Sequence, residues 1–341
     1  MTTTNGRRVR IRDVAKHAGV SPATVSRVLN DSPLVREELY ARVQRSIEEL
    51  GYRPNQIASN LRRQRSRVIG VVVSDIESPY FASLVRGIEH AAYARGRRVL
   101  LCSTDETAQK QSDYLQVLAG ERVAGVILSP SDPAGPEIGE LLDFGIPVVA
   151  VDRSVADPRA DAVLMEDAKG ARQAVEHLLS IGHRQIGFVG GVPGIETEAH
   201  RLAGYQDAMR TAGLEPRFAE GSFRVEGGRA ATRELLARDR SLTALIMANS
   251  LITIGALQVL REQSLRVPDD VGLVTIGDPP WTEFVQPPLT VLAPPVRQIA
   301  ENAVAFIGER LSGERSEAKR LVLDFELRVR ESCGIGRTPR R

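Results

Sequence analysis

Residues 11–30 read IRDVAKHAGVSPATVSRVLN, and the spacing of their apolar positions decides how the N-terminal part folds. Ile11, Val14, Ala15 and Ala18 fall at i, i+3, i+4 and i+7, one apolar face of a short helix. Gly19 stands where a helix ends in a left-handed residue. Ser21 is then a good N-cap, and Pro22 suits the first helical turn. A second helix over 23–29 turns Val25, Val28 and Leu29 inward and leaves Thr24, Ser26 and Arg27 facing outward, with Asn30 at its end. Two short helices with so tight a turn describe a helix-turn-helix, whose second helix enters the major groove of DNA. A third helix over 35–50 carries Val35, Leu39, Val43, Ile47 and Leu50 as its stripe, and Gly51 and Pro54 stop it.

The rest of the composition fits that head. The 341 residues are too many for one typical core, and 42% apolar content is enough to bury substantial ones. The net charge of +2 hides an asymmetry: residues 1–67 hold 14 Lys/Arg against 6 Asp/Glu, and the remainder 31 against 37. A basic head on an acidic body is the electrostatic footprint of a nucleic-acid binder. Two cysteines, Cys102 and Cys333, make no disulfide framework. The polar, basic start has no apolar signal segment, and no apolar run approaches the ~18–20 residues that span a bilayer. A cytoplasmic protein without membrane contact is expected.

The stretch 11–30, with GYRPNQIASNLRR at 51–63, resembles the head and hinge of the lactose-repressor/galactose-repressor (LacI/GalR) family of transcriptional regulators. Arg10 departs from the family's usual Thr at the first cap. The resemblance implies that Pro22, Ala23 and Arg27 face base edges. Only Arg27 has the reach and donors to read a guanine bidentately. Ser21, Thr24, Ser26 and Asn30 suit phosphate positioning. Residues 54–67 would be hinge and linker, with Asn55, Ala58, Leu61 and Arg62 on the DNA. The resemblance further implies that Leu61 wedges into the minor groove, where an apolar side chain unstacks a step and kinks the duplex.

From Val68 the chain alternates β-branched runs (68–74, 99–102, 126–128, 148–151, 186–189, 244–247 and 271–276) with helical stretches such as 80–95, 168–181, 198–212 and 252–263. Apolar strands with helical crossovers mean parallel sheets covered on both faces, and ligands of such folds bind at the carboxyl ends of the strands. The pattern restarts near residue 167, which suggests two lobes. The stretches SPYFASLVRGIEHAA, GIPVVAVDR, RLAGYQDAM and RVPDDVGLVTIGD extend the family resemblance to about Ser332. It implies a periplasmic-binding-protein-like α/β body with a ligand cleft. Lobe one would span about 68–165 and 295–320, lobe two about 166–294 and 321–332, with 333–341 a tail. Cleft residues by the same resemblance are Tyr80, Phe81, Asp152, Arg201, Phe223 and Asn249, with Asp278 the remaining acid after the strand ending at Ile276. Charged, amide and aromatic groups of this kind suit a small polar ligand, a sugar or another metabolite.

Several positions depart from the family pattern. Ser250 and Gly277 stand where acids are usual, Pro294 where a Gln is, and MEDAKGA lacks an Asp-Asn pair. Sugar hydroxyls need such partners, so the expected effector has fewer hydroxyls and carries an anionic group for Arg201. Trp281 fits either a pocket wall or core packing. No GxxxxGK[ST], HExxH or GxSxG motif occurs, and the five histidines form no ligand spacing, so no catalytic, metal or cofactor site is expected. A transporter's solute-binding module is the rival, which the attached head disfavours. The expectation is a homodimer on a pseudo-palindromic operator, since one head reads one half-site.

Overall fold

The computed structural model describes residues 9–29, 35–52 and 66–334. The chain divides into two compact units, Met1–Ser66 and Arg67–Arg341. In the first, α1 (Ile11–His17), α2 (Pro22–Val28) and α3 (Glu37–Glu49) close over Val14, Ala15, Ala18, Val25, Val28 and Val43. Tyr40 takes the packing place expected of Leu39; both lie within a turn of Val43, and the larger ring reaches the core. Arg10 supplies no side-chain cap to α1, but the Asp13 carboxylate accepts the Arg10 N–H at 2.7 Å. Half of a reciprocal cap thus survives the Thr-to-Arg departure.

The second unit holds two six-stranded sheets. The first lobe runs β1 (Val68–Val73), α4 (Pro79–Ala94), β2 (Arg98–Ser103), α5 (Ala108–Gly120), β3 (Gly125–Leu128), α6 (Pro136–Asp143), β4 (Val148–Val151) and β5 (Asp161–Met165). The second runs α7 (Asp167–Ser180), β6 (Ile186–Gly190), α8 (Glu196–Thr211), β7 (Arg217–Glu220), α9 (Val225–Arg238), β8 (Ala244–Met247), α10 (Ser250–Glu262), β9 (Gly272–Ile276) and β10 (Thr290–Ala293). The chain then returns to the first lobe for α11 (Val296–Ser312) and β11 (Arg320–Leu323), and crosses again for β12 (Glu326–Arg328). The sheet orders are β2-β1-β3-β4-β5-β11 and β7-β6-β8-β9-β10-β12.

Alternation along the strands loads both faces of the first sheet. Ile69, Val71 and Val73 point to α4 and α11, whereas Val72, Val126 and Leu128 meet Leu115 of α5 and Ile138 of α6. In the second lobe the buried Tyr205 hydroxyl donates to the Ile186 carbonyl at 2.8 Å and accepts the Arg217 N–H at 2.8 Å, which ties α8 to β6 and β7.

One expectation needs correction. Residues 321–323, assigned to the second lobe, pair with β5 in the first sheet. Both sheets are parallel as expected but for the edge strand β12, which runs antiparallel to β10. A strand entered straight from a lobe crossing, with no helix between, need not keep the parallel direction.

Candidate functional site

In the head, the Ser21 hydroxyl accepts the Thr24 N–H at 3.1 Å, and Pro22 opens α2. Val25 and Val28 bury the helix's inner side, while Ser21, Pro22, Ala23 and Arg27 stay exposed and Thr24 and Ser26 are half-buried. Five expected DNA contacts, Asn30, Asn55, Ala58, Leu61 and Arg62, lie outside the described residues.

In the body, a cavity of about 320 Å³ opens between the carboxyl ends of the two sheets. Its lining includes all seven expected effector residues: Tyr80, Phe81 and Asp152 from the first lobe, and Arg201, Phe223, Asn249 and Asp278 from the second. An adjoining cavity of about 230 Å³ shares Asp152, Met165 and Thr197 with it. Trp281 packs half-buried against the core instead of lining the cavity.

The fold places each group by its loop. Asp152 follows β4 with φ +68°, and Asp105 and Glu106 follow β2 with φ +52° and +59°. Left-handed backbone at non-glycine residues costs energy and gathers at functional sites. Gly277, after β9, has φ +108°, so the missing acid there is a backbone requirement. Gly191 is bare for another reason: a Cβ would meet the Phe223 ring at 2.1 Å.

Several of the polar groups are already committed. The Asn249 carbonyl caps α10 by accepting the Ile252 N–H at 2.7 Å, and its amide donates to the Phe223 carbonyl at 3.2 Å. Asp278 accepts from Thr282 at 2.7 Å, from Arg328 at 2.8 Å and from Arg330 at 3.0 Å. Burial alone would raise the Asp278 pKa, but these hydrogen bonds from Arg330, Thr282 and Arg328 hold it below the ordinary range. Buried Arg201 donates through Nε to Asp167 at 2.6 Å and through Nη1 to the Ala248 carbonyl at 2.9 Å.

The reading from sequence missed several lining or supporting groups. Arg153, beside Asp152 in the quoted VDR, makes two 2.6 Å hydrogen bonds to Glu106. Asp167 anchors Arg201, as above. Arg224 bridges the lobes by donating to Glu77 at 3.0 Å, with Asp75 at 3.4 Å. Ser154 and Glu196 form a second bridge, in which the Ser154 amide donates at 2.6 Å and its hydroxyl at 2.8 Å. Arg328 also lines the cavity and carried no signal in the sequence.

Asp152 has no such commitment. Its carboxylate lines the cavity, and among the described residues only Arg153 Nε pairs with it, at 3.5 Å. Burial pushes its pKa up to about 6, against the pull of Arg153 and Arg201. The buried Tyr80 hydroxyl has no hydrogen-bond partner among the described residues. Burial and then Asp152 raise its pKa well above the usual phenol value. Among the described residues, no cluster of three or more His, Cys, Asp or Glu stands ready to hold a metal ion, and no helix is long and apolar enough to cross a membrane.

Comparison with known proteins agrees with this arrangement. Residues 10–55 match the family described as bacterial regulatory proteins, lacI family. Residues 66–321 match the periplasmic binding proteins and sugar binding domain of the LacI family. The HTH-type transcriptional regulator DegA of Bacillus subtilis (strain 168) is 31% identical over 328 residues, covering 94% of this chain and 97% of that protein. The transcriptional regulator CelR in complex with cellobiose is 33% identical with a TM-score of 0.72, over 95% of this chain and 100% of that one. The Lac repressor dimer bound to operator and the anti-inducer ONPF is 26% identical with a TM-score of 0.84, over 96% and 99%. With a DNA-binding head and an effector domain both matched, the chain belongs to the LacI family of bacterial transcriptional regulators.

Proposed function

We propose that this protein is a repressor that binds a pseudo-palindromic operator as a homodimer and releases or tightens on it when a small molecule fills the cavity between its lobes. The observation that carries the reading is α2: held by Val25 and Val28, it leaves Pro22, Ala23 and Arg27 exposed as a face for the major groove. Arg27 reads a guanine, Pro22 and Ala23 offer apolar contact to a neighbouring base, and Ser21, Thr24, Ser26 and Asn30 position phosphates. Asn55, Ala58, Leu61 and Arg62 engage the minor groove between half-sites.

The body contributes binding and coupling, with no catalytic step. Tyr80, Phe81, Asp152, Arg201 and Phe223 contact the effector, while Asn249 and Asp278 shape the wall through the bonds they already make. The protein works at the chromosome. The test is to incubate purified protein with fragmented genomic DNA, with and without a small-metabolite extract, and to sequence what it retains. Fragments sharing a palindrome are expected, enriched or depleted by the extract. No enrichment above bulk DNA in either condition sinks the reading.

A further inference from the structure

The second cavity adjoins the first where the chain crosses from β5 to α7, and the two share Asp152, Met165 and Thr197. Asp152 is thus the one charged residue common to both. Its side chain is only 9% exposed and accepts no hydrogen bond among the described residues. Lobe one brings Asp152 to this junction, and lobe two brings Asp167 and Glu196 from the first turns of α7 and α8. Asp167 lies close enough to act electrostatically on Asp152, and Glu196 on Asp167.

The charges at the junction do not balance. Arg153 is paired with Glu106 and Arg201 with Asp167. Glu166 and Arg320 also line the second cavity and offset one another. Asp152 and Glu196 are left over, since Ser154 gives Glu196 hydrogen bonds but no charge. His200 is the one further basic group among the described residues that line the second cavity, and even a protonated His200 leaves one carboxylate in excess. Such an excess is costly where water screens poorly. Elsewhere in the first cavity Arg224 faces Glu77 and Arg328 faces Asp278, so an anionic ligand would meet no spare guanidinium. The first cavity offers hydrogen bonds as well: Ser78, Ser83, Thr197, Ser222 and Ser250 line it, and the Tyr80 hydroxyl is buried without a partner among the described residues.

We propose, on the reading of this cavity as the effector site, that the effector is a hydroxylated primary amine such as an amino sugar, its hydroxyls among the serines of the first cavity and its ammonium at the junction with the second, answering Asp152 of lobe one and Glu196 of lobe two. The ammonium supplies three donors and the missing positive charge. Because the two carboxylates belong to different lobes, it binds the arrangement that brings them together better than one that parts them, which is the difference in affinity a switch requires.

The experiment is calorimetric titration of the full-length protein at neutral pH with glucosamine, N-acetylglucosamine, glucose and gluconate. The first three share one ring and differ in whether the same carbon bears an ammonium, an amide or a hydroxyl. Glucosamine is expected to bind with a Kd of about 1 mM or below, and about tenfold tighter than the other three, as suits one charge-assisted contact. Asp152→Asn keeps the shape and tolerates the left-handed backbone, and it is expected to cut the preference for glucosamine over glucose about tenfold. Glu196→Gln keeps an acceptor for Ser154 and is expected to cut that preference about threefold. Reading the preference separates a lost charge from a damaged pocket, and thermal unfolding without probe checks that both variants fold. Any of the other three probes binding as tightly as glucosamine overturns the proposal. No glucosamine binding overturns it too, as does an unchanged preference in a variant that folds. Operator retention measured on the same preparation separates the two readings: its presence leaves the regulator standing whatever the probes do, and its absence sinks the regulator itself.

Discussion

Glu198 lies on α8, almost fully buried, beside the Gly190–Gly191 turn behind the cavity. Burial pushes its pKa up to about 7, against the Gly191 amide and Arg201. A carboxyl raised in the fold contributes its full stability below its ordinary pKa near 4.5 and loses it as pH rises through about 7. Glu198→Gln removes that dependence. Relative to the parent, the variant should gain about 2–3 kcal/mol between pH 5 and pH 8, on top of any constant offset from the amide. Urea unfolding at the two pH values checks this, and a difference that does not change with pH means that Glu198 ionises in the fold as it does in the unfolded chain, with no raised pKa. Arg27 acts at the same scale on the other unit. Arg27→Ala should cost about 1–3 kcal/mol at one base pair of each half-site and relax selectivity there, read from binding to a set of operator variants. Which residues meet at the cavity was legible in the sequence through the family resemblance; what each side chain does there was not. Asn249 reads as a ligand amide, yet the loop geometry gives its oxygen to the Ile252 N–H. Gly277 reads as a lost acid, yet its φ of +108° explains the glycine without reference to ligand.

Most strands with strong apolar runs were legible, β2 at a sheet margin among them, but the buried β5 and β10 inside the sheets and the margin strands β7, β11 and β12 were not. VVAV over β4 and ALIM over β8 are buried throughout and stand out against their flanks. β7, β11 and β12, reading RFAE, RLVL and ELR, are edge strands whose outward charges break any apolar pattern. Their places are set by contacts far away in sequence. Asp161, at the start of β5, shows how: its buried carboxylate accepts from Arg310 at 3.0 Å, from Arg315 at 2.7 Å and from the Lys319 N–H at 2.7 Å. It thereby holds the end of α11 and the approach to β11 against β5. Asp161→Ala leaves half-buried Arg310 without its carboxylate and Arg315 with one, Glu309, in place of two, and it should cost about 3 kcal/mol, toward the low end for a broken buried pair because both arginines keep some solvent. Urea unfolding measures the loss. Hydrogen exchange should place it at β11 first, and uniform loss across the second unit would mean that the edge is not held locally.

At the scale of the whole molecule, two units with separate cores must still act as one regulator, and thermodynamics constrains how. If effector in the body changes operator affinity by some factor, operator must change effector affinity by the same factor. The lobes supply the element that can move: three chain crossings join the sheets, and outside them Ser154–Glu196 and Arg224–Glu77 bridge the two lobes. A ligand shifts such an equilibrium only by its difference in affinity for the two states, which for typical coupling amounts to about 1–3 kcal/mol, or about 5–150-fold. The prediction is that operator affinity with and without saturating effector, and effector affinity with and without saturating operator, change by equal factors. Anisotropy of labelled operator gives the first ratio and calorimetry the second, both on the full-length chain. The two ratios can differ only if a third equilibrium shifts during the titration, and dimer formation is the natural one for a protein that reads two half-sites. Repeating both at several protein concentrations isolates it: ratios that converge as the concentration rises mean that effector acts partly through assembly. Ratios equal at every concentration place the whole effect in the lobes and the head they carry.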